Sequence, residues 1–252
     1  MRYFSEKEKS EKERAIASFP RVLQRLFRKT LSIHDCYDEM LAPLIAHDIV
    51  VLDAGCGKKG IMNKYIHQTR IAVGIDLQID DLKRNQALDA FALGFLEALP
   101  FGSNCFDVIV CQWVIEHLAH PKRVFREFAR VLKPRGHLIV VTNSILNPLM
   151  LISFLLPRYM RDFLKKSLMP TCDEEDTFPT YYRCNSISKL SRILARLGFQ
   201  ELATCYSGDH SLFIFNQTIF KLILLFEKIT NVPWFRPFKM HIAGHYQKVR
   251  EV

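Results

Sequence analysis

No C-x-x-C pair occurs, and the seven cysteines are odd in number, so neither a disulfide framework nor a zinc ribbon is expected. No segment repeats at a fixed period, which excludes solenoids and propellers. The first residues, MRYFSEKEKSEKER, hold no apolar core. They do not read as a signal peptide, and a reducing cytoplasm is the expected compartment. No helix long enough to span a bilayer is expected either. The charge-free stretch 138–157 contains a strand end, Thr142-Asn143-Ser144, and Pro148. That leaves about 12 helical residues where ~20 are needed. With 49% apolar and 24% charged residues, the composition is neither disordered nor fibrous. At 252 residues, one α/β domain over 1–252 is the expected organisation.

Charge is abundant but uneven. The net charge is +9; residues 1–30 hold nine Lys and Arg against four Glu, residues 221–252 hold six against two, and the middle sums to zero. A nucleic-acid enzyme concentrates positive charge around its cleft, so nucleic acid is not the expected partner. Basic ends around a neutral core suit an anionic membrane surface, and they equally suit plain solubility.

Apolar periodicity orders the chain. Residues 1–46 read as a helical N-terminal extension, with Phe19, Val22, Leu23, Leu26 and Phe27 at three- and four-residue steps. A cofactor-binding core follows over 47–144. Ile49–Leu52, Ile71–Ile75, Phe106–Val110 and Leu138–Val141 are apolar runs of the kind that form strands buried on both faces, with a weaker strand near 92–96. A helix is predicted from Pro121, with Val124, Phe125, Phe128, Val131 and Leu132 on one face and Pro134-Arg135-Gly136 as its stop. Alternating strands and helices imply a Rossmann-like, mostly parallel sheet with helices on both faces. Ligands of such sheets sit outside the carboxyl ends of the strands. Segments 145–185 and 208–238 read as apolar cap insertions, the first carrying a buried or interfacial helix. A helix over 186–197, a strand over Gln200–Tyr206 and a last strand and tail in 239–252 complete the chain.

One motif carries chemistry. The first strand runs into Asp53-Ala54-Gly55-Cys56-Gly57-Lys58-Lys59-Gly60, and a helix follows. Glycines let the backbone turn sharply and approach a ligand closely. The next helix then points free N–H groups at that ligand. The second strand ends at Asp76, 21 residues after Gly55, where a carboxylate can accept both hydroxyls of a ribose. Together these mark an adenosine-containing cofactor. Asp53 helps to choose among such cofactors. An acid beside the turn does nothing for a pyrophosphate, whereas it attracts the ammonium of a sulfonium cofactor's amino-acid part. As a strand-end acid, Asp76 is expected to carry little packing.

The motif order Val51–Gly57, Gly74-Ile75-Asp76, Ala98–Phe101 with Phe106–Ile109, Glu116-His117-Leu118 and Leu132–Leu138 resembles class I S-adenosylmethionine-dependent methyltransferases. The similarity is to the small-molecule branch typified by ubiquinone and menaquinone biosynthesis enzymes, and it covers about 50–142. The resemblance implies a seven-stranded sheet with an antiparallel last strand, and S-adenosyl-L-methionine as cofactor. It implies that Asp53, Gly55, Cys56 and Gly57 hold the methionine part. Asp76 would hold the ribose, with Leu77 over the adenine, and Cys111 and Gln112 would face the methyl group. The family usually places Asp where this chain has Phe95, so Glu97, or the Leu96 backbone with stacking, is expected at the adenine edge.

The acceptor is less legible. The Asn/Asp-Pro-Pro-Tyr loop of related N-methyltransferases is replaced by Cys111-Gln112-Trp113-Val114, and no Pro-Cys nucleophile is present. Cys111 reads as an inert buried thiol. His117 is read as opening the helix after the fourth strand. It is either a general base or a terminus histidine bonded to backbone, and no catalytic residue is otherwise assigned. Asp173-Glu174-Glu175-Asp176 reads as a solvated run, and no metal site is expected. Trp113, Tyr181, Tyr182 and Arg183 are the substrate-pocket candidates. The expected function is methyl transfer to a hydroxyl or carbon of a lipid, quinone or glycan-lipid precursor. The alternatives are a nicotinamide-dependent oxidoreductase and a non-catalytic cofactor-binding module. The apolar insertions could meet a membrane, a partner subunit or only the core.

Overall fold

Apolar strands alternate with amphipathic helices through most of the chain, and the sheet they build fixes where a ligand can sit. The computed structural model describes residues 32–58, 61–65, 67–157, 159–160, 178–208 and 217–250. Its strands are β1 (Val50–Ala54), β2 (Ile71–Asp76), β3 (Ala90–Leu93), β4 (Phe106–Gln112), β5 (Leu132–Asn143), β6 (Phe199–Ser207) and β7 (His241–Lys248). They form one seven-stranded sheet in the order β3-β2-β1-β4-β5-β7-β6. Strands β1 to β5 pair in parallel, and β7 enters antiparallel between β5 and β6.

The central strands are apolar on both faces because both faces are covered. Leu52, Ile109, Cys111, Leu138 and Val140 point to one side with α3 (Pro121–Val131) and α5 (Ile187–Ala195). Val51, Val108, Val110, Ile139 and Val141 point to the other, against α1 (Ile33–Leu41) and the 3-10 turn Ile61–Tyr65. Helix α3 starts at Pro121 and buries Val124, Phe125, Phe128 and Val131, the stripe that the spacing predicted.

Several expectations shift. The weak third strand lies at Ala90–Leu93, ahead of 92–96. Strand β5 begins at Leu132 rather than Leu138, and the expected helix stop Pro134-Arg135-Gly136 lies inside it. Leu132 pairs with Phe106, and Lys248 Nζ donates to the Leu132 carbonyl, so tertiary pairing overrides local breakers. Helix α2 (Ile79–Arg84) is short. Of the predicted N-terminal extension, α1 and a 3-10 turn at Ala42–Leu44 are described; residues 1–31 lie outside the described residues. Cys36 in α1 is disulfide-bonded to Cys205 in β6, so one pair departs from the all-thiol expectation.

The insertions behave differently from each other. Helix α4 (Pro148–Leu155) buries none of its residues, which removes the buried-cap reading. Helix α6 (Gln217–Thr230) buries Phe220, Leu224, Glu227 and Thr230, and a 3-10 segment, Pro233–Phe238, links it to β7. Among the described residues, no helix is long and apolar enough to cross a membrane.

Candidate functional site

The carboxyl ends of β1, β2, β4 and β5 converge on one edge of the sheet, and the antiparallel β7 brings its first residue, His241, to the same edge beside Asn143. The glycine turn after β1 lies there. Gly55 has φ +76°, and a Cβ on it would stand 2.2 Å from Val114 Cγ2. Only glycine lets the loop after β4 approach this closely. Gly57, at φ +50°, would place a Cβ in open space. The turn is fastened to β2: the Gly55 and Cys56 N–H groups donate to the Ile75 carbonyl, and the Gly57 N–H donates to Asp76 Oδ2 at 2.9 Å. Asn85 Nδ2 donates to the Gly57 carbonyl from below.

Two carboxylates flank this turn in unequal environments. Asp53 is 3% exposed, and its Oδ2 has no hydrogen-bond partner among the described residues. Burial first, and the nearby Asp76 second, push its carboxyl up to about 7. A buried acid held this far from its usual range is stabilised by an arriving cation. Asp76 accepts from Gly57 N–H, and its Oδ1 accepts from the Leu77 and Gln78 N–H groups at 2.7 and 3.1 Å. It therefore holds the turn together, contrary to the expectation that it carries little structure. Burial, followed by Asp53, pushes the thiols of Cys56 and Cys111 up, so neither is a nucleophile.

The substrate-pocket candidates begin on the loop after β4. Trp113 sits at φ +57°, with its N–H donating to the Val141 carbonyl and its ring edge-on to His241 at 4.9 Å. Its indole Nε1 is buried with no partner among the described residues. Gln112 is half-buried just before it. Behind them lies a network absent from the sequence reading as a site. Buried Glu116 accepts from Thr142 Oγ1 at 2.6 Å and from Asn143 Nδ2 at 3.1 Å. Asn143 Oδ1 faces His241 Nδ1 at 2.9 Å, which places the hydrogen on that nitrogen. Asn185 Nδ2 donates to Thr142 Oγ1. The signal was legible as three polar residues, Thr142-Asn143-Ser144, closing an apolar strand at its ligand end.

His117 does not open α3, which starts at Pro121; it closes the 3-10 turn Ile115–His117. Its Nδ1 lies 3.0 Å from the Pro179 carbonyl and its ring leans on Phe178, which joins it to the insertion. The N–H groups of Tyr181 and Tyr182 donate to the Glu116 carbonyl. Arg183 donates to the Ala119 carbonyl and lies over the Tyr181 ring. The structure thus brings Tyr181, Tyr182 and Arg183 onto the segment Glu116–Ala119, with the guanidinium committed there, whereas Trp113 turns to His241. The acidic run 173–176 lies outside the described residues. Among the described residues, no group of three or more His, Cys, Asp or Glu could hold a metal.

Residues 52–140 match the methyltransferase domain family. This stretch contains the glycine turn, Asp53, Asp76 and the loop after β4. Over this stretch the chain is similar to class I S-adenosylmethionine-dependent methyltransferases. Over 94 residues it is 34% identical to an uncharacterised protein of Methanocaldococcus jannaschii, covering 37% of this chain and 40% of that protein. Over 98 residues it is 32% identical to a demethylmenaquinone methyltransferase of Renibacterium salmoninarum, covering 37% and 41%. The chain thus spans about two fifths of the curated relatives it matches. Geranyl diphosphate C-methyltransferase of Streptomyces coelicolor shares the fold at a TM-score of 0.58 and 14% identity, covering 86% of this chain and 77% of that one.

The methyltransferase domain's own residues fit its cofactor class. The unpartnered Asp53 Oδ2 beside the open space at Gly57 suits an ammonium-bearing ligand. Where the adenine is expected, Leu77 is exposed and Phe95 is 66% exposed, and the Gly94 N–H donates to the Asp76 carbonyl, which brings the two segments together. Leu96 is buried in the core, which leaves only its backbone for a ring. Glu97 is half-buried. This segment is gripped by α3: Glu127 Oε2 accepts from the Leu99 N–H, and Arg130 donates to the Phe101 and Leu99 carbonyls while pairing with Glu127.

Proposed function

We propose that the protein transfers a methyl group from S-adenosylmethionine to a hydroxyl or carbon of a small, apolar acceptor of the lipid, quinone or glycan-lipid precursor class. The observation that carries this reading is the buried, unpartnered Asp53 carboxylate beside the open Gly57 cradle. Asp53 holds the ammonium and Asp76 the ribose hydroxyls, while Leu77 and Phe95 flank the adenine. The bound cofactor supplies an electrophilic methyl on sulfur. The chain aligns an acceptor with that methyl and excludes water. Trp113 walls the acceptor side, held edge-on to His241. Glu116 and Asn143 keep that wall in place.

Two points support an apolar acceptor. The elements leaving β5 and entering β7 beside Trp113 are apolar and exposed. By their names, two of the similar proteins act on demethylmenaquinone and geranyl diphosphate. A nicotinamide oxidoreductase is opposed by Asp53, which would face a pyrophosphate with a like charge. The test is incubation of the purified chain with methyl-labelled S-adenosylmethionine and a cell lipid extract. The expected result is label in an organic-phase product, absent with Asp53→Asn. No label in the lipid extract, with label in a whole-cell extract confined to nucleic acid or protein, would overturn the acceptor class.

A further inference from the structure

Exposed apolar surface stands out on two helices, α4 and α6, whose adjoining segments are joined near the ligand edge of the sheet. In α4, Leu149, Leu151, Ile152 and Leu155 are exposed, Leu155 at 71%, while the Phe154 ring stands edge-on to Tyr182. On α6, Leu222, Leu225 and Ile229 form an outward stripe at helical spacing, and Trp234 in the following turn is 87% exposed. The two elements are tied together at their roots. Ser144 Oγ donates to the Pro237 carbonyl and Asn147 Nδ2 to the Phe238 carbonyl, both at 2.9 Å. The Asn147 side chain also caps α4, accepting from the Leu149 and Met150 N–H groups. The apolar surface therefore stands on a rigid polar joint, three residues beyond the Asn143–His241 contact.

Among the described residues of these two helices and the turn after α6, the exposed charge has one sign. The exposed charged residues of α6 and the Pro233–Phe238 turn are Lys221, Lys228 and Arg236. The one acid there, Glu227, is buried and paired with Lys239. Lys221 and Lys228 flank Leu222, Leu225 and Ile229 on the same helical side, so their stems can lie on an apolar layer while the ammonium groups reach its polar edge. An exposed apolar stripe of this kind, edged by basic side chains, marks an interaction site. A second copy of this chain would oppose it with the same positive sign, on a molecule whose net charge is already +9.

We propose that this face docks on an anionic lipid bilayer. The apolar side chains of α4, α6 and Trp234 enter the headgroup and acyl boundary, and Lys221, Lys228 and Arg236 meet lipid phosphates. Docking stands on this surface alone; that it delivers a membrane-resident acceptor to the Trp113 side rests on the methyl-transfer reading.

The test is co-sedimentation of the full chain with vesicles of phosphatidylglycerol and phosphatidylcholine, and with phosphatidylcholine alone. Trp emission is followed in parallel, since the chain has two tryptophans and Trp234 is the exposed one. The expected result is pelleting with anionic vesicles that weakens with added salt, and a blue shift that Trp234→Phe removes. The triple variant Leu155→Gln, Leu222→Gln, Leu225→Gln keeps the net charge and should partition at least ~10-fold less. Full recovery of the wild type in the supernatant would overturn the proposal. So would unchanged pelleting of the triple variant, which would assign binding to the basic ends. Self-association without vesicle binding would make the face a subunit interface. S-adenosylhomocysteine titration on the same samples shows whether the variant is folded and whether the methyl-transfer reading stands independently.

Discussion

Asp53 trades stability for binding. A carboxyl titrating at about 7 instead of 3.8 binds a proton more tightly in the folded state than in the unfolded one. Its cost is therefore absent at low pH and grows as pH rises from 3.8 through 7. Asp53→Asn should raise folding stability by about 1–3 kcal/mol above neutral pH while weakening S-adenosylhomocysteine binding. Denaturant melts and calorimetry on the same variant check both signs. For the wild type, affinity should fall as pH drops below about 7, approaching about 10-fold per pH unit, because the ammonium needs the ionised acid. The two glycines of the turn should separate cleanly. Gly55→Ala meets Val114 and should cost about 2–4 kcal/mol of stability, read in thermal melts. Gly57→Ala has room for its methyl but keeps a left-handed backbone at φ +50°, so it should cost about 1 kcal/mol of stability, less than Gly55→Ala, and lower affinity by filling the cradle. The identity of these residues was legible because turn chemistry and acid spacing are local. The structural duty of Asp76 was not, since its Gly57 partner lies 19 residues away.

At the scale of elements, α3 serves the site by holding the segment Phe95–Phe101. Arg130 keeps the Glu127 carboxyl below its usual range, and together they take up three backbone groups of Leu99 and Phe101. Arg130→Met should cost about 1–2 kcal/mol and speed amide exchange at Leu99, with weaker cofactor binding and an intact sheet. Hydrogen exchange with and without S-adenosylhomocysteine measures this. The apolar stripe of α3 could be read from spacing because one face is buried along its whole length. The first half of β5 could not, because Lys133, Pro134, Arg135 and Gly136 argue locally against a strand and only pairing with β4 and β7 makes it one. Glu116 was visible as part of a motif, but its partners Thr142 and Asn143 become partners only when β5 is laid beside the loop after β4.

Across the whole molecule, contacts distant in sequence decide what no local pattern can. His137 and His245 meet at 2.9 Å although 108 residues separate them. Burial, then His137, lowers His245 from 6.5 to about 4. The stability it contributes is full above pH 6.5 and is lost as pH falls toward 4, since the unfolded chain takes up that proton first. His245→Gln should flatten the acid limb of the stability profile, measured by denaturant melts between those values. The sheet order and the antiparallel β7 came with the family resemblance rather than with periodicity, and β7 completes the site by bringing His241 to the ligand edge. The central claim is that the glycine turn and Asp53 hold a cationic amino-acid cofactor. Calorimetric titration of the wild type and Asp53→Asn with S-adenosylhomocysteine, with NADH in parallel, tests it most directly. The account predicts binding of S-adenosylhomocysteine to the wild type, at least ~10-fold weaker binding to the variant, and no heat from NADH. Binding of NADH without S-adenosylhomocysteine, or equal affinity in the variant, would contradict it.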